Sequence, residues 1–437
     1  MTSSTAAHGL GERTTAAPPV RIVHLGLGAF HRSHEAWYTA RAADAAQWGI
    51  AAYSGRSSAL AEALNAQDGL YTLVVRSQED DRAERVDSIV RAHGGSELQR
   101  FLADVAAATT AIVSLTITEA AYSRDETDTD AAALRALAEG AEPSAVEPRT
   151  ALGRVVVGLE ARRRARGGPL ALVSCDNLPD NGGVLRDAIE SLAASMPELR
   201  DWIGDTVSFV SSSVDRITPR LSDEEAAALS ERYGDRAPVV TEPFSDWVLS
   251  GEFPGGRPQW ETAGARFTDD LEPWEARKLW LLNGAHTLLA SLGRLRGHRT
   301  VSEAIVDVEC LRAVEAYWDE AGRHLPVDLA VREYRSALLD RFRNPRIRHL
   351  LAQIALDADT KMRVRIAPVA ERERSAGRSA EACATVVAAW IAVDDPDADR
   401  PRVEHDVARL SAVLGADAGF VDTVFDAVQR IGDLTVW

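Results

Sequence analysis

Val20-Arg-Ile-Val-His-Leu25 is a short β-branched run that stops on Gly26-Leu-Gly28 and leads straight into helical sequence. A buried strand that turns through glycine into a helix is the opening unit of an alternating α/β domain. The pattern then recurs. Ile50-Ala-Ala-Tyr53, residues 111–118 and Leu170-Ala-Leu-Val-Ser174 read as further buried strands. Helical stretches at 34–46, 57–65, 130–137 and 150–164 alternate with them. Strands alternating with helices predict a parallel, doubly wound sheet. From about Leu271 the texture changes: residues 272–295, 301–322, 329–342 and 380–393 carry helical periodicity with almost no strand signal. The expected organisation is a flexible tail over 1–18, an α/β domain over 19–268 and a mainly α-helical domain over 269–437.

With 437 residues the chain can bury two sizeable cores. Acidic residues outnumber basic ones 66 to 49, for a formal net charge of −17. Such a surface repels nucleic acid and anionic membranes, which leaves a small molecule as the expected partner. No apolar run reaches the roughly 18–20 residues that cross a bilayer, and the small, polar start has no apolar signal core. Three scattered cysteines (Cys175, Cys310 and Cys383) argue against a disulfide framework or a cysteine-rich zinc site, and fit a reducing cytoplasm.

Gly26-Leu-Gly28-Ala29-Phe30-His31 lies between the first strand and the first helix. Its two glycines permit a tight turn and close approach of a pyrophosphate, whose charge the helix N-terminus then meets. His31 stands where a third glycine is usual, so the motif alone also fits a purely structural turn. The second strand ends in Ser54-Gly55-Arg56-Ser57-Ser58, without the carboxylate that bonds an adenosine ribose. Arg56 flanked by hydroxyls suits a 2′-phosphate, or is simply a surface residue. A dinucleotide held on this turn would be NAD or NADP. His31 and His34 are spaced to share a helix face, yet no second cluster completes a ligand set, and no metal is expected.

Lys278-Leu-Trp-Leu-Leu-Asn283-Gly-Ala-His286 belongs to a helix apolar on most sides, hence buried. At α-helical spacing Asn283 lies roughly 140° from Lys278 and His286 roughly 80° from it, so the three share one broad side. Burial disfavours an ammonium and makes a lysine a usable base near neutral pH; pairing with Glu275 or Glu272 is the alternative. Ser174-Cys-Asp-Asn177 follows a buried strand where α/β ligand sites form, and Val214-Asp215-Arg216 follows another. Each alone is more often a loop cap or an ion pair.

These segments together resemble the long-chain polyol-specific dehydrogenases, the family of mannitol 2-dehydrogenase and fructuronate reductase. The matching pieces run in family order: HLGLGAFHRSHEAWY at 24–38, SLTITEAAY at 114–122, SCDNLPDNG at 174–182, VDRITP at 214–219, EPFSDWVLSGEFPGGRPQW at 242–260, KLWLLNGAHTLLASLG at 278–293 and RFRNPRIRHLLAQIALD at 341–357. The resemblance implies a Rossmann-type N-terminal domain, a helical C-terminal domain, an active site between them and metal-independent hydride transfer. Lys278 would be the general acid/base, and Asn177 and Asn283 would bond the developing alkoxide. Asp215 and His286 would contact substrate hydroxyls, and Glu275 would modulate proton exit from the lysine. Thr118-Glu-Ala-Ala-Tyr122 and Asp357-Ala-Asp359-Thr-Lys361 depart from the family's TEKGY and DGS patterns. Gln353 stands where mannitol dehydrogenases tend to carry arginine, so His349, Gln353 and Lys361 would handle a carboxylate, which leans towards a mannonate/fructuronate-type substrate.

Mannitol/fructose-type chemistry and a phosphorylated hexitol remain open within this reading, as do a monomer and a small homo-oligomer. From other classes, a nucleotide-binding sensor without catalysis needs no general base. A hydrolase using His31 and His34 needs a metal.

Overall fold

The computed structural model describes residues 10–55, 57–122 and 129–434. The chain divides into two compact units: residues up to Arg76 with Asp80–Leu271, and Ser77–Glu79 with residues from Glu272 onward.

The first unit is an α/β domain. Its strands are β1 (Val20–Leu25), β2 (Gly49–Tyr53), β3 (Tyr71–Arg76), β4 (Asp81–Val86), β5 (Ile89–His93), β6 (Ile112–Leu115), β7 (Leu170–Ser174), β8 (Val207–Asp215), β9 (Val239–Thr241), β10 (Asp246–Ser250) and β11 (Arg266–Phe267). Eight of them form one sheet in the order β11-β10-β8-β7-β6-β1-β2-β5. It is parallel throughout except where β10 runs antiparallel to β8. Strand polarity alternates side chains between two cores. Ile22, Ile50, Ala52 and Ile112 enter one, and Val23, Leu25, Ala51, Tyr53 and Val113 the other. Helices on both faces make this the doubly wound Rossmann-type architecture. The chain leaves β1 towards β2 and later returns to pair β6 on the opposite side. The carboxyl ends of β1 and β6 therefore form a topological switch point, where such sheets bind ligands. A small second sheet, β4-β3-β9, had no counterpart in the sequence reading.

Local boundaries differ in instructive ways. The helix expected over 34–46 begins earlier, as Ala29–Ser33, and restarts as Glu35–Arg41 after a break at His34 (φ −119°, ψ −98°). The strand expected over 111–118 is confined to Ile112–Leu115; just beyond it the Thr116 N–H still bonds the Leu25 carbonyl at 2.9 Å while its hydroxyl bonds the glycine turn.

The second unit is helical, with no strand after β11 among the described residues. The stretch 301–322 is two helices, Val301–Val306 and Val308–Gly322, because the Asp307 carboxylate caps the backbone N–H groups of Glu309 and Cys310. The stretch beginning at Glu272 departs most from regularity. It is α-helical over Glu272–Arg277, π-helical over Lys278–Asn283, α-helical over Gly284–Leu288 and π-helical again over Leu289–Gly293. Among the described residues no helix is long and apolar enough to cross a membrane.

Candidate active site

At the switch point, Gly26 adopts φ +114°, and a Cβ there would meet the Thr116 carbonyl oxygen at 2.1 Å. The Thr116 hydroxyl donates to the Gly26 carbonyl at 2.8 Å, so the turn is clamped to the end of β6. Only glycine fits this position. Gly28 has extended backbone, and a Cβ on it would meet nothing closer than 3.5 Å. What a side chain at Gly28 would fill is the space over the turn, beside half-buried Ala29 and Phe30 at the helix start. A backbone cradle of this kind fits a dinucleotide pyrophosphate. Arg56 lies outside the described residues. Beside it, the Ser54 hydroxyl bonds the Ser57 carbonyl at 2.5 Å.

Beneath the turn lies an unforeseen cluster. His24 Nδ1 and His31 Nδ1 approach Glu35 Oε2 at 3.0 and 3.2 Å, and all three residues are fully buried. Burial alone would raise the Glu35 pKa, but hydrogen bonds and charge from the two histidines hold it well below the carboxylate range. Burial, then the neighbouring His24, lower His31 to about 4. The three could lie within reach of one ion. However, the His24 and His31 rings stack at 3.4 Å with planes 11° apart. Near-parallel rings cannot both aim in-plane lone pairs at one ion, so the arrangement is that of a buried carboxylate held among polar side chains, with the Ser114 hydroxyl donating to Glu35 Oε2 at 2.8 Å. His34 belongs elsewhere, against Phe30, Tyr38 and Trp247. His298, Asp307 and Cys310 also gather, but Arg296 already sits 2.9 Å from Asp307 Oδ2.

The Ser174–Asn177 turn is fixed from beneath. Asn181, fully buried, donates to the carbonyls of Asp176 and Ser212, each at 2.7 Å, and accepts from Ser212 N–H at 2.8 Å. Tyr122 donates to Asp176 Oδ2 at 2.7 Å, and burial raises the Asp176 carboxyl to about 7. Asn177 itself is exposed, and Asp215 is buried at the end of β8. The neighbouring Arg216 donates to the Ser33 carbonyl at 2.6 Å and stacks on Trp37, which is a structural use.

In the helical unit, Glu275 and Lys278 are half-buried, three residues apart across the α-to-π junction. The Gly284 N–H bonds the Leu279 carbonyl, an i→i−5 closure. A π-turn carries more than four residues per turn, so five residues bring the chain nearer to its starting side than an α-helix does. The 140° separation of Lys278 and Asn283 expected from α-helical geometry is therefore too large, and the two lie closer to one face.

His286 is 7% exposed, and its ring lies 4.8 Å from each of the His349 and Phe342 rings. Its Nε2 and His349 Nδ1 are buried without a hydrogen-bond partner in the protein. Burial, then the neighbouring His349, Arg341 and Arg365, push the His286 pKa well below its usual value, so the ring is neutral at neutral pH. A buried, neutral, unpartnered imidazole nitrogen is suited to a ligand hydroxyl. The structure thus brings His349 to His286. Gln353 is exposed on the short helix Leu351–Ile354. Lys361 donates to the carbonyls of Ile354, at 2.9 Å, and Leu356, leaving one of its three donors for anything else. It lines a cavity of about 150 Å³ with Thr287, Ser291 and Trp390.

Comparison with known proteins gives a consistent answer. Residues 20–262 match the mannitol dehydrogenase Rossmann domain, and residues 270–408 match the mannitol dehydrogenase C-terminal domain. The chain is 32% identical to D-mannonate oxidoreductase of Escherichia coli over 445 residues, covering 95% of this chain and 92% of that one. It superposes on Pseudomonas fluorescens mannitol 2-dehydrogenase, solved as a ternary complex with NAD and D-mannitol, with TM-score 0.76 and 31% identity over 98% of this chain and 95% of that one. D-sorbitol dehydrogenase in substrate-free form gives TM-score 0.83 and 29% identity over 99% and 95%.

Proposed function

The chain belongs to the mannitol dehydrogenase family of oxidoreductases, and from that premise we propose that it interconverts a secondary alcohol of a sugar acid or sugar alcohol with the corresponding ketone. A mannonate/fructuronate-type substrate is the favoured one. The observation that carries the reading is the run Lys278, Asn283, His286 on one helix, with the buried Nε2 of a neutral His286 awaiting a partner. Lys278 takes the hydroxyl proton in oxidation and returns it in reduction, with Glu275 one turn earlier to pass it on. Asn283 and Asn177 offer neutral N–H donors to the oxygen as charge develops on it. His286 and Asp215 bond the remaining hydroxyls, and His349, Gln353 and Lys361 serve the far end. The two asparagine donors would take the part that a Lewis-acid metal plays at such an oxygen, and no metal is assigned.

Gly26, Gly28, Ala29 and Phe30 would hold the pyrophosphate of NAD or NADP, and the nicotinamide, when bound, supplies the hydride chemistry. The absence of a carboxylate from Ser54 to Ser58 favours acceptance of a 2′-phosphate, with Arg56 the counter-charge. The 95% coverage of this chain by D-mannonate oxidoreductase, at 32% identity, together with Gln353, supports the sugar-acid branch.

The test is an absorbance screen of the purified protein with NADH or NADPH against fructuronate and fructose, and with NAD or NADP against mannonate, mannitol and other polyols. Turnover of fructuronate well above fructose supports the reading. Measurable NAD(P)H binding with no turnover of any pair would overturn these substrates in favour of a different one or of a non-catalytic sensor.

A further inference from the structure

Asn283 ends the π-turn, and its backbone carbonyl receives two side-chain donors, one the ordinary back-bond of a threonine four residues on and the other a distant arginine. The Thr287 hydroxyl donates to it at 3.0 Å, and the Arg365 guanidinium at 3.3 Å. The same Arg365 nitrogen lies 3.1 Å from the Thr287 oxygen, so the three groups close a small ring. Switching from i→i−5 to i→i−4 bonding shifts the acceptor pattern by one residue and leaves a carbonyl short of a backbone donor; within the turn, Trp318 Nε1 donates to the Leu281 carbonyl at 2.8 Å. Arg365 is held from its other side: Tyr317, fully buried, donates to the Arg365 carbonyl at 3.0 Å. Tyr317 also packs so tightly on Gly284 that a Cβ there would lie 2.4 Å from its hydroxyl.

We infer that Arg365 is a positioning residue for catalysis, a clamp that holds residues 278–283 in π register and thereby sets the direction in which Asn283 presents its carboxamide relative to Lys278. Without the clamp the segment relaxes towards α-helical bonding, and Asn283 swings away from the lysine's side. This rests on the reading of Lys278 and Asn283 as the acid/base and the oxyanion donor. Arg365 touches neither reacting atoms nor cofactor in this role.

The experiment compares Arg365→Ala, Arg365→Lys, Thr287→Val and Asn283→Ala in the full-length protein, with fructuronate and NADH or NADPH as probes. Loss of alignment of about 1 Å at a catalytic group lowers turnover by roughly 10²-fold. Arg365→Ala is expected to lose that much in kcat, with KM for the cofactor within about twofold of the parent. Arg365→Lys should recover part of the loss, and so should tens of millimolar guanidinium added to Arg365→Ala. Thr287→Val, nearly isosteric, should lose about tenfold and stay folded. An independent readout is a crystal structure of Arg365→Ala or Thr287→Val, in which residues 278–283 should revert towards i→i−4 bonding. An unchanged π-turn in those variants, or parental kcat in Arg365→Ala, would overturn the clamp. Parental kcat in Asn283→Ala would instead sink the assignment of the site and leave the structural readout to judge the clamp.

Discussion

Replacing Gly26 and Gly28 separately by alanine should split stability from cofactor binding. At Gly26 the backbone sits at φ +114°, and the added Cβ would fall 2.1 Å from the Thr116 carbonyl oxygen. A non-glycine residue there carries strain of about 1–3 kcal/mol, and forcing β1 away from β6 adds about 1–3 kcal/mol of overpacking. At about 2–4 °C per kcal/mol for a unit of this size, Gly26→Ala should melt roughly 10 °C lower. At Gly28 the backbone is extended, and the nearest atom to a new Cβ is the Gly26 oxygen at 3.5 Å. Gly28→Ala should therefore match the parent or gain about 0.4–1 kcal/mol through a less flexible unfolded chain. The new methyl nonetheless occupies the space through which a pyrophosphate approaches, so Kd for NAD(P)H should rise at least about tenfold, or 1.4 kcal/mol. Thermal unfolding and titration of NADH and NADPH fluorescence measure the two effects. Parental affinity in Gly28→Ala would show that the dinucleotide does not lie on this turn. Parental stability in Gly26→Ala would refute the steric argument.

Lys278→Ala should keep NAD(P)H binding while losing several orders of magnitude in turnover, with partial rescue by small primary amines; near-normal turnover would remove its acid/base role. Glu373 concerns pH. It is buried among Arg378, Arg323 and His324. Burial would raise its pKa, but those hydrogen bonds outweigh it and lower the carboxyl from 4.5 to about 2. A carboxyl depressed in the folded state contributes stability above its unfolded pKa and loses it as pH falls through the folded value. Glu373→Gln should thus be less stable than the parent at pH 6–7 in urea unfolding. The difference should narrow below pH 4.5 and be largely gone near pH 2; a gap that does not change with pH would contradict the charge argument.

What the sequence made legible followed the strength of local signals. Val20–Leu25 into Gly26 and Leu170–Ser174 are short, β-branched or apolar runs bounded by turns, and each appears as a strand. Asp81–Val86 carries no such alternation. It is a strand because it pairs antiparallel with Tyr71–Arg76, a decision made by the neighbour. The break at His34 escaped for a related reason. The sequence pattern reads as one helix starting at residue 34, whereas two short helices meet at His34, whose ring packs among Phe30, Tyr38 and Trp247. The cluster under the glycine turn was hidden because His24 belongs to a strand and Glu35 to a helix, and their meeting depends on how the two pack.

The run from Lys278 to His286 marks the limit of such reading most clearly. Residue types and spacing were enough to single out Lys278, Asn283 and His286, because a lysine, an amide and an imidazole are unusual on an otherwise apolar helix. Their mutual angles were not recoverable, since every helical projection assumes one hydrogen-bond register and this segment uses two. Nothing in Leu279-Trp-Leu-Leu282 marks a π-turn. The side-chain donors to its carbonyls come from Trp318, from Thr287 in the next turn and from Arg365, 82 residues beyond Asn283. A π-turn is less favourable than the α-helix it replaces and persists where tertiary contacts support it. A second π segment, Leu289–Gly293, follows on the same helix with no candidate catalytic residue in it, so packing around this helix, and not helix propensity, decides its register.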